Sequence, residues 1–178
     1  MAALARRGIA IEKAEAAPDD IPGTVLDCRG LAANAPGLRG VRGEMVMLRT
    51  NEVTLSRPVR LLHPRHPLYI VPRGDGVFML GATQIESAAP GPVTARALLE
   101  LLSAAYALHP AFAEAQVIET GADLRPAFAD HVPRVIRRGR VLHLNGLFRH
   151  GYLMAPALAR QAADFLETGT KGDLFDAD

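Results

Sequence analysis

Runs of apolar residues bounded by proline and glycine fill the stretch 41–80, and their short length predicts strands at 44–49, 59–62, 68–71 and 77–80. Between the last two, Arg73-Gly74-Asp75-Gly76 carries an Asp-Gly pair that tolerates the backbone of a tight hairpin, so the set reads as an antiparallel sheet. From 92 to 108 the period lengthens to that of a helix. Ala97, Leu98, Leu101, Leu102, Ala105 and Leu108 fall on one stripe, Thr94 stands where an N-cap belongs, and Pro110 ends the pattern. A long bent strand is predicted over 115–126, followed by strands at 132–136 and 140–144 about the turn Arg137-Arg138-Gly139.

The two ends are less regular. The chain opens with a short Ala/Leu/Arg helix and the expected strand Ile9-Ala10-Ile11, then becomes Ala-Pro-Asp-rich up to residue 20. Gly23 to Gly30 reads as a short buried strand closed by a glycine turn, but a buried parallel strand needs neighbours and few βα units precede it. The stretch 142–156 runs from a strand through a turn into a helix. Pro156 fits without penalty only in a first helical turn, so the helix is expected from about Tyr152 to Glu167, with Leu158, Ala162, Phe165 and Leu166 on one face and Gly169 as its stop. The acidic tail beyond is expected to fray. The amides of Gly151 to Met154 then lack helical partners at the positive end of a macrodipole, behind Gly146 and Gly151 and beside Asn145, Arg149 and His150. Such a place suits a phosphate, a carboxylate or an anionic ring; a plain glycine turn is the alternative.

Composition narrows the class. The 178 residues are 49% hydrophobic and can form a single globular core; Lys plus Arg (20) nearly balances Asp plus Glu (19), so no charge argues for a nucleic-acid or acidic-membrane partner. The lone Cys28 excludes an internal disulfide and is compatible with a reducing cytoplasm, no apolar run reaches membrane-spanning length, and the start lacks a signal-peptide core, so a soluble cytoplasmic protein is expected.

Chemistry-bearing motifs are few. His63-Pro64-Arg65-His66 has no companion cysteine or carboxylate cluster, so no metal site is expected, and neither a nucleophile elbow nor a Gly-x-Gly-x-x-Gly or phosphate loop is present. Two arginines are the better candidates. Arg125 lies between Leu124 and Pro126, and Arg149 between Phe148 and His150 at the helix entrance. An arginine in apolar surroundings must be paired, either internally with Asp27, Glu44 or Glu119 or with a ligand carboxylate. Tyr69 offers a hydroxyl to the same pocket, or packs as an ordinary strand tyrosine.

Together, Val41-Arg42-Gly43-Glu44, Tyr69-Ile70-Val71-Pro72-Arg73, Leu80-Gly81-Ala82-Thr83, Gly121-Ala122-Asp123-Leu124-Arg125-Pro126 and Gly146-Leu147-Phe148-Arg149-His150-Gly151-Tyr152-Leu153-Met154-Ala155-Pro156 resemble the glycine/D-amino-acid oxidase family of flavoenzymes, in its thiamine-biosynthesis glycine oxidase type. The motifs follow the family's order over about residues 23–168. The resemblance implies an α+β fold, an antiparallel mixed sheet flanked by helices that is the oxidase substrate domain, lacking most of the dinucleotide-binding domain. It implies three parts: 1–40 as a remnant of the FAD-binding domain, 41–144 as the substrate domain, and 145–178 as the flavin-facing turn and C-terminal helix.

It also implies roles. Arg125 pairs with the substrate carboxylate, Tyr69 hydrogen-bonds the same group, Arg149 lines the substrate side, and Gln84 stands where the pattern has methionine, which bears on substrate identity. Gly30, Gly146, Arg149, His150, Gly151, Tyr152, Leu153 and Met154 meet the FAD. The implied activity is oxidative deamination of glycine or a small D-amino or imino acid, with hydride transfer to the flavin, reoxidation by oxygen and imine hydrolysis. FAD is expected in the complete protein and not in a chain that begins after the dinucleotide fold, whether by cloning or as a truncated product. A degenerate, non-catalytic assembly module is the alternative, pairing as a homodimer through the apolar face of the last helix or with a separate FAD-domain segment; an unrelated small-anion-binding domain is a third reading.

Overall fold

A computed structural model describes residues 2–64 and 67–176. After the helix α1 (Ala2–Ala5), strand β1 (Val25–Asp27) is followed by the long β2 (Arg39–Arg49), then β3 (Val59–Leu61), β4 (Leu68–Gly74) and β5 (Val77–Gly81). Helix α2 (Ala95–Leu108) leads to β6 (Gln116–Ala127), β7 (Arg134–Arg138), β8 (Val141–Asn145) and helix α3 (Gly151–Thr168). Two sheets result: a five-stranded antiparallel sheet in the order β3-β4-β5-β2-β6, and a three-stranded one in the order β1-β8-β7.

The period-two alternation builds the larger sheet. Val46, Leu48, Leu68, Ile70, Phe78 and Leu80 are buried and pack with Leu101, Ala105 and Phe112. Ala97, Leu101 and Ala105, four residues apart, form the buried stripe of α2, and the Thr94 hydroxyl caps its start by accepting from the Ala97 amide at 3.2 Å. Asp75 and Gly76 both have positive φ (50° and 69°), the backbone that a tight β4–β5 hairpin requires.

Other expectations change. Ile9–Ile11 is not a strand, since three alternating residues find no edge to pair with. Gly23–Gly30 does contain a strand, and its neighbour comes from far along the chain: β1 runs parallel to β8, with Asp27 opposite His143. Leu26 is nevertheless exposed, so one face of β1 is uncovered. The strands of 134–145 therefore pair with 25–27 rather than with the strands of 39–127. Helix α3 begins at Gly151, which places Pro156 inside the helix, past its first turn. Part of its apolar face is covered within the chain, since Leu158 packs with Val135 and Leu142 and Phe165 lies against them, while Leu166 is exposed. The described part of the tail, up to Asp176, is not frayed, because the Val135 amide donates to the Leu174 carbonyl at 2.7 Å, the Asp176 amide donates to the Val135 carbonyl at 3.0 Å, and Phe175 lies against Phe165. Arg65 and His66 of the histidine motif lie outside the described residues.

Candidate active site

The two faces of the five-stranded sheet carry different chemistry. On the face beneath α2, Arg42 and Glu44 are buried, with the Arg42 Nε donating to Glu44 Oε1 at 2.7 Å. Arg42 also donates to the carbonyls of Ala89 and Gly91 at 2.8 and 2.9 Å, while the Thr94 hydroxyl donates to Glu44 Oε2 at 3.0 Å. Every charge there has a partner, and the pair ties the loop before α2 to the sheet.

The opposite face is open. A hollow of about 370 Å³ is lined by Met45, Tyr69, Met79, Gly81, Asp123 and Arg125, among others. A Cβ at Gly43 would fall 2.2 Å from the Arg125 guanidinium, so the group lies flat on bare backbone that only glycine leaves clear. Gly81 admits the Tyr69 ring in the same way, at 3.0 Å. Arg125 donates to the Thr83 carbonyl at 3.1 Å and pairs with no carboxylate among the described residues. Burial lowers its pKa from the ordinary value; Tyr69 opposes that through its charge and hydrogen bond, and the like charge of Arg149 adds to it. The group remains a cation, half-buried and unneutralised.

Of the internal partners open to the arginines in the sequence, Glu44 is taken by Arg42, and Asp27 by Arg29 at 2.9 Å. Arg149 lines an adjacent cavity of about 580 Å³ with Thr83, Gln84 and Ile85, and Ala82 borders both hollows. There its Nη1 donates to Gln84 Oε1 at 3.2 Å. The four residues Tyr69, Gln84, Arg125 and Arg149 thus converge on two contiguous spaces.

The turn before α3 forms a second cluster. Asn145 donates to the Gly30 carbonyl at 2.8 Å and accepts from the Gly146 amide at 2.9 Å, joining the glycine turns that end β1 and β8. Gly146 has φ of 79°, and a Cβ there would meet the Phe128 ring at 2.3 Å. The Phe148 amide donates to Pro126 at 3.1 Å and its ring stacks on His131, which sets Arg149 beside β6. Met154 is a correction: its amide donates to the His150 carbonyl at 2.8 Å and is not free. The amides of Gly151, Tyr152 and Leu153 have no acceptor among the described residues, the His150 ring makes no cap, and the Tyr152 and Leu153 side chains are exposed.

Residues 4–165 match the family described as FAD-dependent oxidoreductase. The chain belongs to that family. It is 64% identical over 146 residues to a Rhizobium etli protein named for a thiamine biosynthesis oxidoreductase, ThiO, covering 81% of this chain and 45% of that one. A Bacillus licheniformis glycine oxidase is 31% identical over 133 residues, covering 71% of this chain and 34% of its own. Among solved structures, the glycine oxidase of Bacillus cereus superposes with a TM-score of 0.67 at 27% identity (79% of this chain, 39% of that one), and an iminodiacetate oxidase from a Chelativorans species with 0.69 at 26% (86% and 44%). The α+β fold with antiparallel sheet is that of these oxidases, and the chain spans less than half the length of these relatives. No described helix is long and apolar enough to cross a membrane.

Gly43 as the seat of Arg125, and Asp123 beside it, were not singled out in the sequence as site residues. A readable signal existed for the buried pair: Arg42 and Glu44 occupy alternate positions with Val46 and Leu48, the period that assigns them to the covered face.

Proposed function

We propose that this chain is the substrate-binding portion of an FAD-dependent oxidase that deaminates glycine or a small D-amino or imino acid, of the type that serves thiamine biosynthesis. The observation that carries this reading is Arg125: a half-buried guanidinium without a carboxylate, laid on Gly43 beside the Tyr69 hydroxyl, is built for the carboxylate of a small ligand. The names of the relatives supply the reaction class.

Each residue then has a task. Arg125 anchors the substrate carboxylate as a planar fork, and Tyr69 donates to the same group. Met45 and Met79 give the hollow an apolar floor that keeps water from the Cα. The free amides of Gly151, Tyr152 and Leu153, with Arg149 beside them, are a donor set that fits the anionic edge of a flavin ring, since a helix N-terminus favours negative charge. Bound FAD supplies the hydride acceptor. Holding the amino acid by its carboxylate would be the contribution of Arg125 and Tyr69 to that chemistry.

The test is a protein extended upstream of Met1. It should purify yellow with a flavin spectrum and release hydrogen peroxide with glycine, and Arg125→Met should raise KM for glycine by about tenfold or more, the cost of a lost charge-assisted pair. A colourless extended protein, or an Arg125→Met variant with unchanged KM, sinks the reading.

A further inference from the structure

The hollow over Gly43 carries two opposite charges on an apolar floor. Asp123 and Arg125 are two residues apart on β6 and so leave the same face of the sheet. Asp123 stands directly opposite Gly43 in the β2–β6 register, and Gly43 is the seat of the Arg125 guanidinium, so that head group is drawn back along the strand toward Asp123. Despite this, no ion pair joins the two. Asp123 Oδ1 accepts from the Leu124 amide at 2.7 Å, and its Oδ2 has no partner among the described residues. The other carboxylate that borders the hollow, Glu44, is already engaged by Arg42 and Thr94. What remains of the lining is Met45, Tyr69, Met79 and small residues.

We propose that Asp123 is the ammonium-binding residue of this site, so that the hollow takes an α-amino acid as its zwitterion, carboxylate on Arg125 and ammonium on Asp123, in preference to a simple carboxylate. The inference rests on the reading of Arg125 given above and adds the second half of the ligand. A simple carboxylate uses up the charge of Arg125 and leaves the Asp123 Oδ2 without a partner and its charge without a counterion. An amino acid brings its own cation to that position, and its N–H groups reach the open Oδ2. The same logic admits a secondary amine that retains an N–H in its ammonium form.

The test is calorimetric titration of the 178-residue chain at neutral pH with glycine and with acetate. The wild-type chain should bind glycine about threefold to fivefold more tightly than acetate, the span that an exposed ion pair supplies. Asp123→Asn and Asp123→Ser should bring that ratio to about one while acetate binds as well as before or better, because a repulsion has been removed. Far-UV circular dichroism checks that both variants fold; the exposed position of Asp123 makes their folding the expectation. A glycine preference that survives both substitutions, or a wild-type chain that prefers acetate, overturns the proposal. Acetate binding that depends on Arg125 but shows no glycine preference overturns the role of Asp123 alone. A wild-type chain that binds neither ligand overturns the Arg125 reading as well.

Discussion

Arg42 and Arg125 stand on neighbouring strands of one sheet and face opposite ways, and their surroundings explain why one is architecture and the other a site. Arg42 is buried with a carboxylate at 2.7 Å and backbone carbonyls on its remaining nitrogens. Its hydrogen-bonding capacity is filled by the fold itself. Arg125 is half-buried, receives one carbonyl and one tyrosine, and has its plane laid on a glycine. Burial of an arginine therefore says little until its partners are counted; the unneutralised one marks the place where a ligand completes the electrostatics.

The strongest way to break this contrast is on the covered face. Glu44→Ala leaves Arg42 buried without its anion and should cost roughly 3–5 kcal/mol of stability, read by urea unfolding. Arg125→Met, by contrast, removes an unpaired charge and should leave stability within about 1 kcal/mol of wild type. If the two variants unfold alike, the division of labour between the faces is wrong. Gly146→Ala comes next, since it combines a positive φ with a methyl aimed at the Phe128 ring, and a loss of roughly 1–3 kcal/mol is expected from the same unfolding curves.

On the open face the effects should appear in binding instead. Gly43→Ala pushes the guanidinium off its seat, and acetate affinity measured by calorimetry should fall about tenfold, equivalent to about 1.4 kcal/mol, with little change in melting temperature. Tyr69→Phe should weaken acetate by roughly 0.5–1.5 kcal/mol, the range of one hydrogen bond. The smallest effect concerns neither face. Arg29 holds the Asp27 carboxyl below its usual range through a side-chain hydrogen bond, so that stabilisation is complete above the ordinary carboxylate pKa and is lost as the pH falls through the lowered one. Melting temperatures taken below about pH 4 should decline more steeply for the wild type than for Asp27→Asn. A steeper decline in the variant would reverse the sign.

Local pattern carried much of this into view from the residues alone. The β4–β5 hairpin, the Thr94 cap and the stripe of α2 depend on neighbours a few residues apart, and they stand as the periodicity predicts. The pairing of β1 with β8 depends on residues more than a hundred positions apart, so no local period announces it. Ile9–Ile11 shows the converse, an alternation with no edge to receive it. For the site, Tyr69 and Arg125 approach each other by lying over Gly81 of β5 and Gly43 of β2, the two strands between their own, and Arg149 reaches Gln84 from the turn before α3; the seat under Arg125 is legible only from the register that sets Gly43 beside its guanidinium.

The irregularity between Met47 and Leu48, where Ile118 is passed over in the pairing with β6, has a consequence for how the sheet tolerates change. A one-residue slip turns every side chain of the strand that moves to the other face, which would put Arg42 in the hollow if β2 slipped or Arg125 under α2 if β6 did. The bulge separates the outer end of the β2–β6 ladder, Leu48–Val117 and Arg49–Gln116, from the inner end that holds Gly43 against Asp123. An insertion or deletion in the segment that joins α2 to β6 can be taken up there as a changed bulge, and the alignment that forms the hollow is insulated from it.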